Sequence, residues 1–261
     1  MSAMNKKVCD LIIIRNIQLN HDNFLLELQA KEKLSDIVPG QFANVLIKNS
    51  SSTFLRRPFS IHDVDYSTNS FTILVKTVGA GTNRLVLEKV GNSLDVIFPL
   101  GNGFLRPKKG EKVLLIGGGV GIAPMMQLSR ESKKLGADVH ILLGARSKKD
   151  HILIDEFKQN GMVYLTTNDG SMGVEGFVTH HPVFTSDKNF DRIYCCGPEP
   201  MMRAVAQKAI HLSIDCEVSL ENMMACGYGV CLCCVAKTIE GNKCVCTDGP
   251  VFNIKDLQWQ I

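Results

Sequence analysis

Over the first hundred residues, apolar and polar positions alternate in short runs at 11–17, 23–27, 42–47, 60–64, 71–77 and 93–98, with turn residues such as Pro39-Gly40 between them. A period of two broken this often predicts half-buried strands of a small antiparallel barrel with a groove at one end. Beyond the polar, turn-rich segment Arg106-Pro107-Lys108-Lys109-Gly110 the period changes. Nearly continuous apolar strands at 112–116, 138–143, 163–167 and 192–196 alternate with helical periods at 122–135, 154–160 and 200–210. That alternation predicts a parallel sheet covered on both faces. A short strand at 215–220 then leads into a cysteine-rich loop and a hairpin, strands 235–239 and 243–246, turning at Gly241-Asn242. The expected fold is therefore multidomain: an antiparallel β-barrel at 1–105, an α/β parallel-sheet domain at 106–219 and a small cysteine-bearing domain at 220–261.

Charge and composition narrow the function classes. The 261 residues are 45% hydrophobic and 21% charged with a net charge of +3, the profile of an ordinary globular protein and too weakly basic to argue for nucleic acid or an anionic membrane. The longest apolar run, 113–126, contains four glycines and is too short for a membrane span. Near the N-terminus Asp10 and Arg15 bracket only residues 11–14, so no signal-peptide core is expected. Ten cysteines without an export signal point to a reducing cytoplasm and to metal or redox use.

Six of those cysteines fall between 226 and 246, and Cys226, Cys231, Cys234 and Cys246 read C-x4-C-x2-C-x11-C. One irregular loop can then aim three thiolates at a centre and the next turn of chain a fourth, the spacing of a [2Fe–2S] site. Gly227 and Gly229 would let backbone wrap closely there. Cys233, beside Cys234, can hardly turn to the same metal, and Cys244 is set aside with it. Structural zinc and a non-enzymatic zinc adaptor remain alternatives, although the second half offers only Cys244-x-Cys246 as a knuckle.

Three further motifs carry ligand chemistry. Arg56-Arg57-Pro58-Phe59-Ser60 opens a strand with a proline that fixes φ, where an arginine can fork onto a pyrophosphate and Ser60 can meet an isoalloxazine edge. Leu74-Val75-Lys76 then runs into Gly79-Ala80-Gly81-Thr82, a strand–glycine–helix junction suited to phosphate. Gly117-Gly118-Gly119-Val120-Gly121 follows the first strand of the α/β part and opens a helix, as a dinucleotide turn does. Basic residues at Arg146, Lys148 and Lys149 leave NAD against NADP open.

R-P-F-S, G-x-G-T and Pro99-Leu100-Gly101-Asn102-Gly103-Phe104 resemble the FAD-binding domain of the ferredoxin–NADP reductase superfamily. So do G-G-G-x-G-x-A-P at 117–124 and Cys196-Gly197-Pro198-Glu199-Pro200-Met201. With E-x-x-M-x-C-G-x-G-x-C-x-x-C from Glu221 and C-x-D-G-P-V-F from Cys246, nearly the whole chain is similar to the electron transfer subunits of NAD-linked dihydroorotate dehydrogenases. The resemblance implies FAD on Arg57, Pro58, Phe59, Ser60, Leu74, Val75, Lys76, Gly81 and Thr82, and NAD as co-substrate at Gly118, Gly119 and Gly121. It places Cys196 over the nicotinamide and a [2Fe–2S] cluster on Cys226, Cys231, Cys234 and Cys246. It also implies an FMN-containing catalytic partner in a cytoplasmic heterotetramer, two of each subunit, serving pyrimidine biosynthesis. Cys195 would be buried filler. C-G-Y-G-V-C, Cys233 and R-P-F-S depart from the family's usual residues, and Tyr228 could alter the solvent exposure of a cluster. Reductase subunits of hydrogenases, sulfite reductases and bifurcating transhydrogenases share the flavin and nicotinamide motifs and stand as the alternative.

Overall fold

A computed structural model describes residues 7–48, 50, 52–185 and 189–259. β1 (Lys7–Gln18), β2 (Asn23–Gln29), β3 (Phe42–Val45), β4 (Arg57–Asp65), β5 (Ser70–Lys76) and, after the short α1 (Ala80–Leu85), β6 (Ser93–Leu100) close into a barrel in the order β1-β2-β5-β4-β3-β6. Every pairing is antiparallel. The alternation read from the sequence is the barrel's inside and outside: Leu11, Ile13, Leu26, Leu28, Ile61, Ile73, Val75 and Val96 fill its interior with no exposed surface. Burying such side chains is the main favourable term for a closed sheet.

The second part is built on β7 (Lys112–Gly118), α2 (Ala123–Lys134), β8 (Asp138–Ala145), α3 (Ile154–Lys158), β9 (Met162–Thr167), β10 (Val174–Glu175), β11 (Arg192–Cys196), α4 (Glu199–His211) and β12 (Asp215–Ser219). Its sheet runs β10-β9-β8-β7-β11-β12 in parallel. The helix expected from 122 starts as a tight turn over Gly119–Ile122 before α2, where Pro124 has no amide to leave unpaired. β10 was not expected; two residues are too few to leave a period.

The cysteine-bearing tail holds β13 (Val235–Thr238), β14 (Gly241–Cys244) and β15 (Val251–Asn253). The hairpin turns at Ile239-Glu240 and not at Gly241-Asn242: Thr238 pairs with Gly241, and the Ile239 amide donates to Asp256 O. β15 pairs antiparallel with β12 through Glu217↔Asn253, Val218↔Phe252 and Ser219↔Val251, becoming the seventh strand of the sheet. The tail therefore does not have to bury apolar surface alone. One continuous core runs from Phe42 and Leu100 of the barrel through Ile116 and Val218 to Cys234, Val245, Cys246 and Phe252.

The barrel and sheet are locked by side chains reaching backbone. Gln127 of α2 donates to Ile37 O at 2.7 Å, Arg130 to Val64 O at 2.6 Å, and the Tyr194 hydroxyl to Leu105 O at 2.7 Å. No helix among the described residues is long and apolar enough to cross a membrane.

Candidate functional site

The segment Pro99–Phe104 and the tail's Cys246–Phe252 meet in space. Asn102 donates through Nδ2 to Thr247 O at 3.1 Å and Asp248 O at 2.9 Å, and through its amide to Gly249 O at 2.6 Å. A Cβ on Gly101 would lie 2.5 Å from Pro250 Cδ and 2.7 Å from Gly249 O, so only glycine permits this approach. From the other side Asn44 of β3 donates to Cys226 O at 3.1 Å. The barrel thus clamps the tail at its first cysteine and just after its last.

Among the described residues, no three His, Cys, Asp or Glu side chains converge closely enough to hold one ion. The thiols come together in pairs, Cys226 with Cys231 and Cys234 with Cys246, each within hydrogen-bond reach of its mate. A [2Fe–2S] cluster takes four thiolates, and this set of thiols with a backbone amide aimed at one sulfur suits it. The Tyr228 amide donates to Cys226 Sγ at 3.4 Å. Burial pushes the Cys226 thiol up, but the Tyr228, Cys231 and Val230 amides and the Cys231 thiol outweigh it and bring it down to about 6, toward the thiolate that binds iron. Burial and then the Cys234 thiol push Cys246 up to about 12. Cys233 is exposed and Cys244 lies at the edge of the group.

A cavity of about 330 Å³ opens between barrel, sheet and tail. Arg57, Pro58, Phe59, Ser60, Leu74, Lys76 and Thr82 all line it, as do Phe42, Asn222 and Met224, which sequence reasoning missed. The adjacent arginines part company: Arg56 is held by Asp95 Oδ1 at 2.8 Å, whereas Arg57, among the described residues, donates to the Leu55 and Arg56 carbonyls alone. Val75 points the opposite way from its neighbours on β5, into the barrel core. A Cβ on Gly81 would sit 3.3 Å from Arg57 Nε, so this glycine seats the guanidinium. At the head of α1 the Val78 and Gly79 amides donate to Thr82 Oγ1.

A second cavity, of about 570 Å³, lies over the sheet edge where β7, β8 and β11 end. Gly118 and Gly119 line it with Arg146, Asp150, Phe177, Pro198 and Met201. Gly121 does not; a Cβ there would lie 2.4 Å from Cys196 O, and the missing side chain lets the turn pack on β11. Cys196, expected over the nicotinamide, is buried and lines neither cavity; its Sγ lies 3.8 Å from Oε1 of Glu221, which borders both. Burial, then Glu221's charge, push its thiol far above the ordinary range, so it remains S–H. Cys195 faces the sheet's other side in the large core.

Residues 221–258 match the family model of the iron-sulfur cluster binding domain of dihydroorotate dehydrogenase B, and residues 115–207 that of the oxidoreductase NAD-binding domain. Proteins named dihydroorotate dehydrogenase B (NAD(+)), electron transfer subunit, from Shouchella clausii and Fusobacterium nucleatum, are each 38% identical over 97% of this chain and 99% of their own length. The chain belongs to this family of electron transfer subunits. It is an oxidoreductase subunit of NAD-linked dihydroorotate dehydrogenase B that works with a catalytic partner, and its cofactors are FAD, a [2Fe–2S] cluster and NAD as co-substrate. The solved structure of an NADH-dependent reduced ferredoxin-NADP oxidoreductase, described for flavin-based electron bifurcation, is 30% identical, with a TM-score of 0.87 over 97% of this chain and 91% of that one. Phthalate dioxygenase reductase, 19% identical with a TM-score of 0.66, covers 89% of this chain and 87% of its own and shares the fold.

Proposed function

We propose that this electron transfer subunit receives electrons at the cysteine loop from an FMN-containing catalytic subunit that oxidises dihydroorotate, and delivers them to NAD. When bound, a cluster exchanges single electrons and a flavin converts between single electrons and hydride. Cys226, Cys231, Cys234 and Cys246 would hold the cluster, and the Tyr228 amide that donates to Cys226 Sγ would tune it. Arg57 takes the flavin pyrophosphate, Ser60 and Phe59 meet the isoalloxazine, and Leu74, Lys76 and Thr82 wall its cavity. Gly118 and Gly119 take the dinucleotide's backbone, and the neutral Cys196 thiol positions the nicotinamide.

The observation that carries this is continuity: Asn222 and Met224 wall the first cavity, and the chain reaches Cys226 two residues later. Met223, Tyr228, Val230 and Leu232 stand exposed around the same loop, an apolar patch that offers the partner its docking face. The complex is a cytoplasmic heterotetramer with two copies of each subunit.

The lone chain is expected to reduce dyes with NADH, whereas dihydroorotate oxidation should appear only after adding the catalytic subunit. Full dihydroorotate turnover by the lone chain would defeat the proposal. Co-purification with a nickel–iron or siroheme protein in place of an FMN protein would favour a reductase of another complex.

A further inference from the structure

The flavin-side and nicotinamide-side cavities share Lys76, Val120 and Glu221 on their walls. Hydride transfer requires the two rings to meet where these cavities join. A third cavity of about 330 Å³ lies between α4 and β13, walled by Glu199, Arg203, Asn222, Ala236, Lys237, Gln258 and Trp259, and Glu221 borders it as well. Glu221 therefore stands between the ring junction and a polar cleft. Its carboxyl is open to these cavities, yet the protein packed around it raises its pKa, against a lesser opposing effect of the Cys196 thiol. Lys76, the other titratable group at the junction, is paired with Asp22 at 3.2 Å. Among the described residues, the charged and titratable groups facing Glu221 are Cys196 on β11, Arg57 and Lys76 across the first cavity, His21, Asp22, Arg146 and Asp150 across the second, Glu199 and Arg203 on α4, and Lys237 on β13.

The hydride handed to NAD comprises two electrons and one proton, and a cluster supplies only the electrons. The proton must reach the flavin from another source, water or a side chain at the ring junction. We propose that Glu221 is the proton donor to flavin N5 and that the cleft between α4 and β13 is the path by which its carboxyl is recharged from solvent. For each pair of electrons, one O–H bond at Glu221 breaks, one N–H bond forms at N5, and a water-borne proton restores the carboxyl. In the opposite direction the carboxylate takes the proton back. This rests on the assignment of the flavin and nicotinamide cavities above.

The test uses the holo chain, with flavin content measured first. A wild-type chain lacking flavin would remove the cavity assignment itself, an outcome distinct from those that follow. Reduction of the bound flavin is then timed with dithionite, which brings electrons alone, and with NADH, which brings its own hydrogen. E221Q should slow the dithionite reaction by about a hundredfold, as loss of a positioned acid does, and abolish its solvent deuterium isotope effect, while the NADH reaction falls far less. Added formate should restore the rate in E221A. Time-resolved infrared spectra should show a protonated-carboxyl band bleaching in the wild type and absent in E221Q. Should E221Q not retain flavin, E221D must show a slowed dithionite reaction that keeps its isotope effect. Equal losses with both reductants, or no loss with either, would overturn the proposal.

Discussion

His62 lies fully enclosed in the barrel wall, its Nδ1 2.9 Å from Thr72 Oγ1 and its Nε2 without a partner among the described residues. Burial, then the Arg130 charge, lower its pKa to about 4. Because the folded value lies below the unfolded one, the contribution is complete above about pH 6.5 and is lost as pH falls through about 4. About 3 kcal/mol should disappear across that window, seen as a fall in urea midpoint that His62→Leu flattens. At Gly121 the issue is space. Gly121→Ala should cost about 1–3 kcal/mol by overpacking against Cys196 and weaken NAD binding, measured by denaturation and titration. At this scale legibility was uneven. The motif residues could be named from the sequence, Arg57 among them as the first letter of R-P-F-S, but the engagement of its neighbour Arg56 could not, because only the fold brings Asp95 to it. Glu221 was visible only as the first letter of a motif, since its importance comes from three cavities meeting at one side chain.

The six barrel strands and the alternating strands and helices of the sheet could be read from periodicity, because each element buries one face or both along its length. The tail was harder to read. β15 is three residues long and owes its place to pairing with β12, and the hairpin turn moved because Asp256 captures the Ile239 amide. Sequence alone also could not say why P-L-G-N-G-F and C-x-D-G-P-V-F occur together; in the structure they are two sides of one contact. Asn102→Ala removes the side-chain donor to the Thr247 and Asp248 carbonyls, both bonds solvent-exposed, and should cost about 0.5–1.5 kcal/mol. Loss of iron and sulfide from the purified variant should accompany the lowered urea midpoint. Unchanged iron content would mean that the barrel does not hold the cysteine loop in register.

In the whole molecule, barrel, sheet and tail share one core that includes Cys234 and Cys246, so the three cofactor regions are fixed relative to one another by packing. The decisive feature is the route: electrons should reach NAD only by way of the cysteine loop. It is tested by mixing the catalytic subunit with wild-type chain or Cys226→Ser, the latter confirmed to keep its flavin, and following NADH formation after anaerobic addition of dihydroorotate. NADH should form with the wild type and fail to form with the variant, while the catalytic subunit's own flavin is reduced in both. NADH formation at the wild-type rate by a cluster-free variant would contradict the account.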